Sequence, residues 1–433
     1  MQPTRARHTM LGFALATMAI AYIDRVAISL SSSSIQRDLE LSDAQLGYAF
    51  SAFTLAYAIF EVPSGWLADR FGARRMMTRI VLWWSAWTIA TAAAAGFHSL
   101  VAIRFLFGMG EAGVLPTLAS AFRRWLPERE RGRAFGLTVA AAALGTAVSQ
   151  PIVGAMLRHF SWREAFVAFG ALGAAWAAIW YAWMRDDPRE HRGVNGAEIA
   201  EIGPPAHEPH ARVPWARLVR SRNLIVICAM YFCAIYGWYF FMTWLPQYLE
   251  RARGFSLAQS SWLTALPWLA IAAGCFFGGL ISDALVRSRG LRFGLRAPGI
   301  VGLPIAALAI LGAIATPSAA FATAFLTAAA GFAALGIASA WSTCLAIGGR
   351  HGGVVSGAMN MFGNLGGTVC PIVFGQSLEH FGSWNLPLAS VALLYVLAGL
   401  MWLAIEPERH LDEAALPARA ALSPAGTTAQ AEP

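Results

Sequence analysis

Four ionisable side chains stand out inside long apolar runs of this sequence: Asp24, Arg25, Arg104 and Glu111. A charged side chain at the centre of a hydrocarbon layer costs roughly 2.5–3.5 kcal/mol on insertion scales, which makes each of the four a functional candidate. A fixed guanidinium can hold a carboxylate by two parallel hydrogen bonds, and carboxyls in low dielectric can exchange protons near neutrality. The set predicts anion binding at Arg25, with Asp24 and Glu111 carrying protons. Tyr22 and Arg25 are three apart and share a helix face, while Asp24 points roughly 100° away from Arg25. Arg104 and Glu111, seven apart with Gly108 between them, form a polar seam on another helix. The alternative is a set of buried ion pairs, Arg104 with Glu111 or Asp24, that only fixes helix packing.

The elements that position these residues follow from composition. Of 433 residues, 57% are apolar and 13% charged, a balance that suits a chain whose solvent is mostly lipid. Apolar runs of roughly 20 residues, enough to cross about 30 Å of hydrocarbon, recur along almost the whole chain. Hydropathy places spans near 10–32, 45–67, 76–96, 99–122, 134–158 and 163–184, then near 223–248, 259–284, 298–317, 319–347, 353–379 and 384–405. The expectation is an all-α membrane protein of about twelve transmembrane helices in two six-helix bundles, 1–184 and 223–405. Between them 185–222 reads as a linker with one short helix, and 406–433 as a disordered tail.

The net charge of +8 comes from arginines in short loops rather than on one amphipathic face, so nucleic acid is not an expected partner. All 32 basic residues are arginine, which carries little functional information. Arginine-rich loops at the N-terminus, 70–79, 123–133, the linker and 287–296 fall on one side, which predicts cytoplasmic termini in a bacterial inner membrane. Cys228, Cys233, Cys275, Cys344 and Cys370 lie within apolar spans without metal-ligand spacing and read as small core residues. No cofactor or metal is expected. No H-E-x-x-H, G-x-S-x-G or phosphate-loop pattern is present, which argues against a membrane enzyme.

The most specific local pattern is Gly65-Trp66-Leu67-Ala68-Asp69-Arg70-Phe71-Gly72-Ala73-Arg74-Arg75 between the second and third spans. It reads as a conformational latch, in which glycine permits a tight turn and Asp69 can meet arginines or helix N-termini across one face. The plainer reading is a solvated turn whose arginines only fix topology. Gly278-Gly279-Leu280-Ile281-Ser282-Asp283, followed by Arg287 and Arg289, echoes it in the second half and supports a six-span repeat.

At these residues the chain resembles the major facilitator superfamily, whose signature loop is G-x-L-a-D-r-x-G-r-r. Tyr22-x-Asp24-Arg25 and Arg104-x-x-x-Gly108-x-x-Glu111 are similar to patterns in its anion:cation symporter family. The resemblance implies proton-coupled symport of a small organic anion, a sugar acid such as a hexonate, hexuronate or aldarate, by alternating access in a bundle that can act as a monomer. It further implies that Tyr22 and Tyr57 face the substrate that Arg25 anchors, and that Arg104 poises the protonatable Asp24 and Glu111. Trp341 and Asn360 resemble substrate contacts of the sugar-acid branch. Asn360 and Asn364, four apart, share a helix face and can offer amides to hydroxyls, although such groups also glue membrane helices together.

The fifth span departs from that branch, reading Val139-Ala140-Ala141-Ala142-Ala143-Leu144-Gly145 where a substrate-binding glutamine is expected. Gln150-Pro151 lies about two turns further on, nearer a kink than the same contact. A seventh span crowded with aromatics (Tyr231, Phe232, Tyr236, Trp238, Tyr239, Phe240, Phe241, Trp244) leaves open an aromatic or other non-sugar carboxylate, or anion exchange.

Overall fold

The structure is a computed structural model that describes residues 2–203, 218 and 220–409, with the side chains of Asp69 and Arg350 outside that description. The expected tail from 410 onward and the linker stretch 204–217 lie outside the described residues. The first half comprises α1 (Ala6–Leu30), a short α2 (Ser32–Asp38), α3 (Asp43–Phe71), α4 (Ala73–Thr91), α5 (Phe97–Glu111), α6 (Val114–Trp125), α7 (Glu128–His159) and α8 (Trp162–Trp183). The linker carries α9 (Gly196–Ile202). The second half comprises α10 (Arg222–Thr243), α11 (Leu257–Arg289), α12 (Leu291–Ala315), α13 (Ala319–Gly348), α14 (Gly352–Phe381) and α15 (Asn385–Met401).

With α5 and α6 counted as one broken span, the bundle has twelve crossings among the described residues. Ten are long and apolar enough to span a bilayer on those grounds alone. The other two, α4 and α14, fall below that hydropathy because α4 opens on Arg74, Arg75 and Arg79, and α14 is rich in glycine and carries Asn360 and Asn364. Outward faces are apolar, with Phe276, Leu308 and Leu393 each 60% or more exposed, as lipid requires.

Local chemistry sets the helix ends. Ser42, Ser161 and Ser256 each close a capping box with Gln45, Glu164 and Gln259, satisfying first-turn N–H groups that lipid cannot. The sequence predicts one continuous fourth span, yet the helix breaks after Glu111. Pro116 supplies no N–H, and its ring crowds the carbonyl four residues earlier, at Ala112, where the chain turns. Pro246 likewise ends α10 at Thr243, before a π-helical turn at Tyr248–Ala252. The turns between α3 and α4 and between α11 and α12 are made by Gly72 (φ 82°) and Gly290 (φ 85°), so the repeat seen in the sequence recurs in the backbone.

Glu198 on α9 is fully buried and accepts the N–H groups of Ala6 (3.3 Å) and Arg7 (3.0 Å) together with the Thr4 hydroxyl. A carboxylate at orphan N–H groups caps α1, so the linker helix clamps the N-terminus. At the face away from the termini the two halves are joined by several bonds. Ser29 donates to the Thr243 carbonyl (2.9 Å), Arg251 forks onto Asp43 (2.6 and 3.0 Å), and Glu379 accepts from Ser42 (2.6 Å) and the Ala44 N–H (2.9 Å).

Candidate functional site

The centre of the bundle gathers side chains from α1, α3 and α5 around Arg25. Its Nε donates to Glu111 Oε1 at 2.7 Å, and its guanidinium lies over the rings of Tyr22 (4.8 Å), Phe53 (5.0 Å) and Tyr57 (5.1 Å). The three-residue spacing of Tyr22 and Arg25 brings ring and cation to one face, as the helical period requires. Among the described residues that single bond through Nε is the only hydrogen bond Arg25 makes, so the two Nη groups keep their donors. Three aromatic faces fix the orientation of the fork while leaving its donors unused. The approach of α5 to α3 depends on Gly108, where a Cβ would collide with the Phe53 carbonyl.

Asp24 and Arg104 lie in the same interior, each 2% exposed. Arg104 sits over the rings of Phe107 (4.5 Å) and Phe53 (5.2 Å). Neither oxygen of Asp24 has a hydrogen-bond partner of good geometry among the described residues, although Thr88 and the charges of Glu111 and Arg104 are close by. The second oxygen of Glu111 and the Nε of Arg104 are also without partners. Burying an unpaired carboxylate costs several kcal/mol, so the energy of this interior depends on how many protons it holds. Glu111 also ends α5 at the break, the position at which interrupted membrane helices place polar groups near the midplane.

The second half contributes Tyr231 and Tyr239 from α10, which face Tyr22 and Arg25. The rest of the aromatic crowd packs away from the centre: Trp238 against Trp268 (5.1 Å), Phe240 on Phe374 (5.2 Å), and Trp244 against Trp384 (6.0 Å). Trp341 of α13 meets Phe135 of α7 across the halves at 6.1 Å and faces Tyr231, rather than meeting Arg25. Asn360 donates its amide to Glu61 Oε1 at 2.6 Å, a bond between halves. Asn364 accepts from Tyr239 Oη (3.2 Å) and donates to the Asn360 carbonyl (3.1 Å), so its amide holds helices together. Gln150 is committed as well, accepting from Thr264 at 3.0 Å across the α7–α11 contact.

Glu61 is the site residue that sequence reasoning missed. It lies one turn after Tyr57 on the same face of α3, and that four-residue spacing was the available signal. The latch residues stand apart from this centre. The Arg74 N–H donates to Asp186 (2.9 Å), its Nε donates to the Tyr181 carbonyl (2.9 Å), and its guanidinium stacks on the Tyr181 ring at 4.1 Å. Gly72 lies against the Asp186 carboxylate, Gly65 against Pro116, and Arg70 over Trp66 (5.4 Å). The side chain of Asp69 lies outside the described residues.

Comparison with known proteins agrees with this architecture. The family model described as Major Facilitator Superfamily matches residues 13–371 and 227–429. The chain is 37% identical over 418 residues to the probable sulfoacetate transporter of Cupriavidus necator, covering 95% of this chain and 96% of that one. It is 32% identical to the probable galactarate/D-glucarate transporter of Bacillus subtilis, covering 89% of each. In fold it is similar to a bacterial homologue of the human lysosomal transporter Spinster, in an inward-facing, occupied crystal structure, with TM-score 0.72 and 22% identity over 92% of this chain and 96% of that one.

Proposed function

The chain belongs to the Major Facilitator Superfamily and, through its relatives, to the anion:cation symporters within it, and from that premise we propose that it carries a small organic anion across the bacterial inner membrane together with protons. That it is a multi-pass transporter of organic anions follows from the family. The observation that carries the rest is the fork of Arg25, held between three rings and, among the described residues, bonded only through Nε. Its Nη groups offer a carboxylate or sulfonate two parallel bonds. Asp24 and Glu111 take up protons, and Arg104 sets the field between them. Tyr22 and Tyr57 border the anion, while Trp341 and Asn360 meet it from the second half.

Domains at 1–184 and 223–405, tied by 185–222, rock about this centre by alternating access, and the chain works as a monomer. Loops rich in arginine support a cytoplasmic side for the termini and the linker. The bonds from Ser29, Arg251 and Glu379 then close the periplasmic face. For transport to proceed, those bonds break while the Gly65–Arg75 loop re-forms contacts on the cytoplasmic face.

Sugar acids are the first substrate class to test, given the galactarate/D-glucarate relative. A second reading, a small non-sugar anion, is favoured by what the interior lacks. Val139–Gly145 offers no amide, the Gln150 carbonyl is taken by Thr264, and Asn364 both accepts from Tyr239 and donates to the Asn360 carbonyl, so little amide capacity remains for a row of hydroxyls. A sulfonate-bearing acid, as in the name of the sulfoacetate relative, needs only the fork. The test is proton-driven uptake in three variants: Arg25→Ala is expected to abolish binding, and Asp24→Asn and Glu111→Gln to stop or uncouple net uptake. Normal uptake in all three contradicts the assignment.

A further inference from the structure

We propose that Glu61 is a further proton-binding residue of the transport cycle, one that occupies the Asn360 amide while the carrier is empty and yields it when an anion enters. The proposal rests on the reading above and extends it to a residue that the family resemblance does not assign.

Three observations carry it. The first is position. Helices α3 and α14 run antiparallel along a seam of small and hydroxyl residues joining the halves. Gly47 lies against the Pro371 carbonyl, Ser51 donates to the Thr368 carbonyl (2.6 Å), and Thr54 meets the Thr368 hydroxyl (3.0 Å). Glu61–Asn360 continues that seam towards the terminal face, beyond Tyr57. The second is incompleteness. Glu61 is 8% exposed, and its Oε2 is buried without a hydrogen-bond partner among the described residues. A carboxylate accepts several hydrogen bonds when ionised, and this one accepts a single bond, from a neutral amide.

The third is charge. The groups facing Glu61 are Arg25 from α1, Tyr57 on its own helix, Tyr239 from α10 and Asn360 from α14, while Glu111 of α5 acts through its ion pair with Arg25. Arg25 is thus paired with Glu111 and within electrostatic range of Glu61 before any substrate arrives. An anion docking on Arg25 and Asn360 meets Glu61 as a like charge competing for both partners. A proton from water, taken up at the Glu61 carboxylate, turns that competitor into a neutral group with an O–H to donate. The bond to Asn360 can then pass to the anion, and the proton leaves to water after release.

Glu61→Gln tests this, because its amide carbonyl still accepts from Asn360 but binds no proton. Infrared difference spectra between acidic and neutral pH, recorded on protein in lipid, detect protonation of buried carboxyls without any substrate. The wild type is expected to show a carboxyl band that Glu61→Gln loses, and Asn360→Ala is expected to shift the pH at which that band titrates. Identical spectra for the wild type and Glu61→Gln overturn the proposal. Uptake with D-glucarate and sulfoacetate as probes gives the second readout. Glu61→Gln is expected to move fewer protons per anion while retaining exchange against preloaded anion, and an unchanged proton count and pH profile also overturns the proposal. Loss of the band in Glu61→Gln, with neither probe carried by the wild type, supports proton binding at Glu61 while removing the transport reading on which its role in the cycle rests.

Discussion

Arg25→Lys separates charge from geometry at the centre of the site. Lysine keeps a cation beside Glu111 and within reach of the rings of Tyr22, Phe53 and Tyr57, so the ion pair and most of the packing survive. What is lost is the planar fork, and with it one of two parallel bonds to the anion. A hydrogen bond to a charged group contributes about 1.5–3 kcal/mol. At about 1.4 kcal/mol per tenfold, the anion should bind about 10- to 150-fold more weakly. Calorimetry with D-glucarate and sulfoacetate measures this directly, with the thermal midpoint of the empty protein as the control for folding. An affinity within about twofold of wild type, for a probe that the wild type binds, would refute the fork as the anion anchor.

Other perturbations test the framework around it. Gly72 and Gly290 share an extended backbone of positive φ (82° and 85°) that costs a residue with a Cβ about 1–3 kcal/mol. At Gly72 a Cβ also meets the Asp186 carboxylate, whereas at Gly290 it meets open space, so Gly72→Ala should lower the thermal midpoint more than Gly290→Ala. Arg251→Ala removes the fork onto Asp43, an ion pair half open to water, and at about 0.2–1 kcal/mol it should shift the population towards opening of that face by at most about fivefold. Spin-label distances across the face read that shift. The guanidinium of Arg7 beside Glu201 holds its carboxyl below the usual carboxylate range. The Arg7–Glu201 pair (2.8 Å), which adds to the capping of α1 by Glu198, is therefore fully present above about pH 4.3 and is lost as pH falls through the lower folded value, so hydrogen exchange at α9 should rise in acid, and Arg7→Ala should raise it already at neutral pH.

Much of this was legible in the sequence because lipid imposes a simple rule on long helices. Ten of the spans follow from hydropathy alone, α4 and α14 from shorter apolar runs bounded by charges and glycines, and the Tyr22–Arg25 face from the helical period. The break after Glu111 was less visible, because Pro116 stands one turn beyond it and the apolar run continues through both pieces. Glu61 escaped notice because it stands four residues before the loop motif at Gly65, where a charge reads as the approach to water, and because its partner Asn360 is 299 residues away. The positions of Asn364 and Gln150 were readable, but their commitment to Tyr239 and Thr264 belongs to the packing of helices distant in sequence.

The most direct test of the central claim is the pH outside proteoliposomes as D-glucarate or sulfoacetate is added. Coupled symport predicts external alkalinisation that accompanies uptake and vanishes in Arg25→Ala. Anion uptake by the wild type with no movement of protons would contradict it.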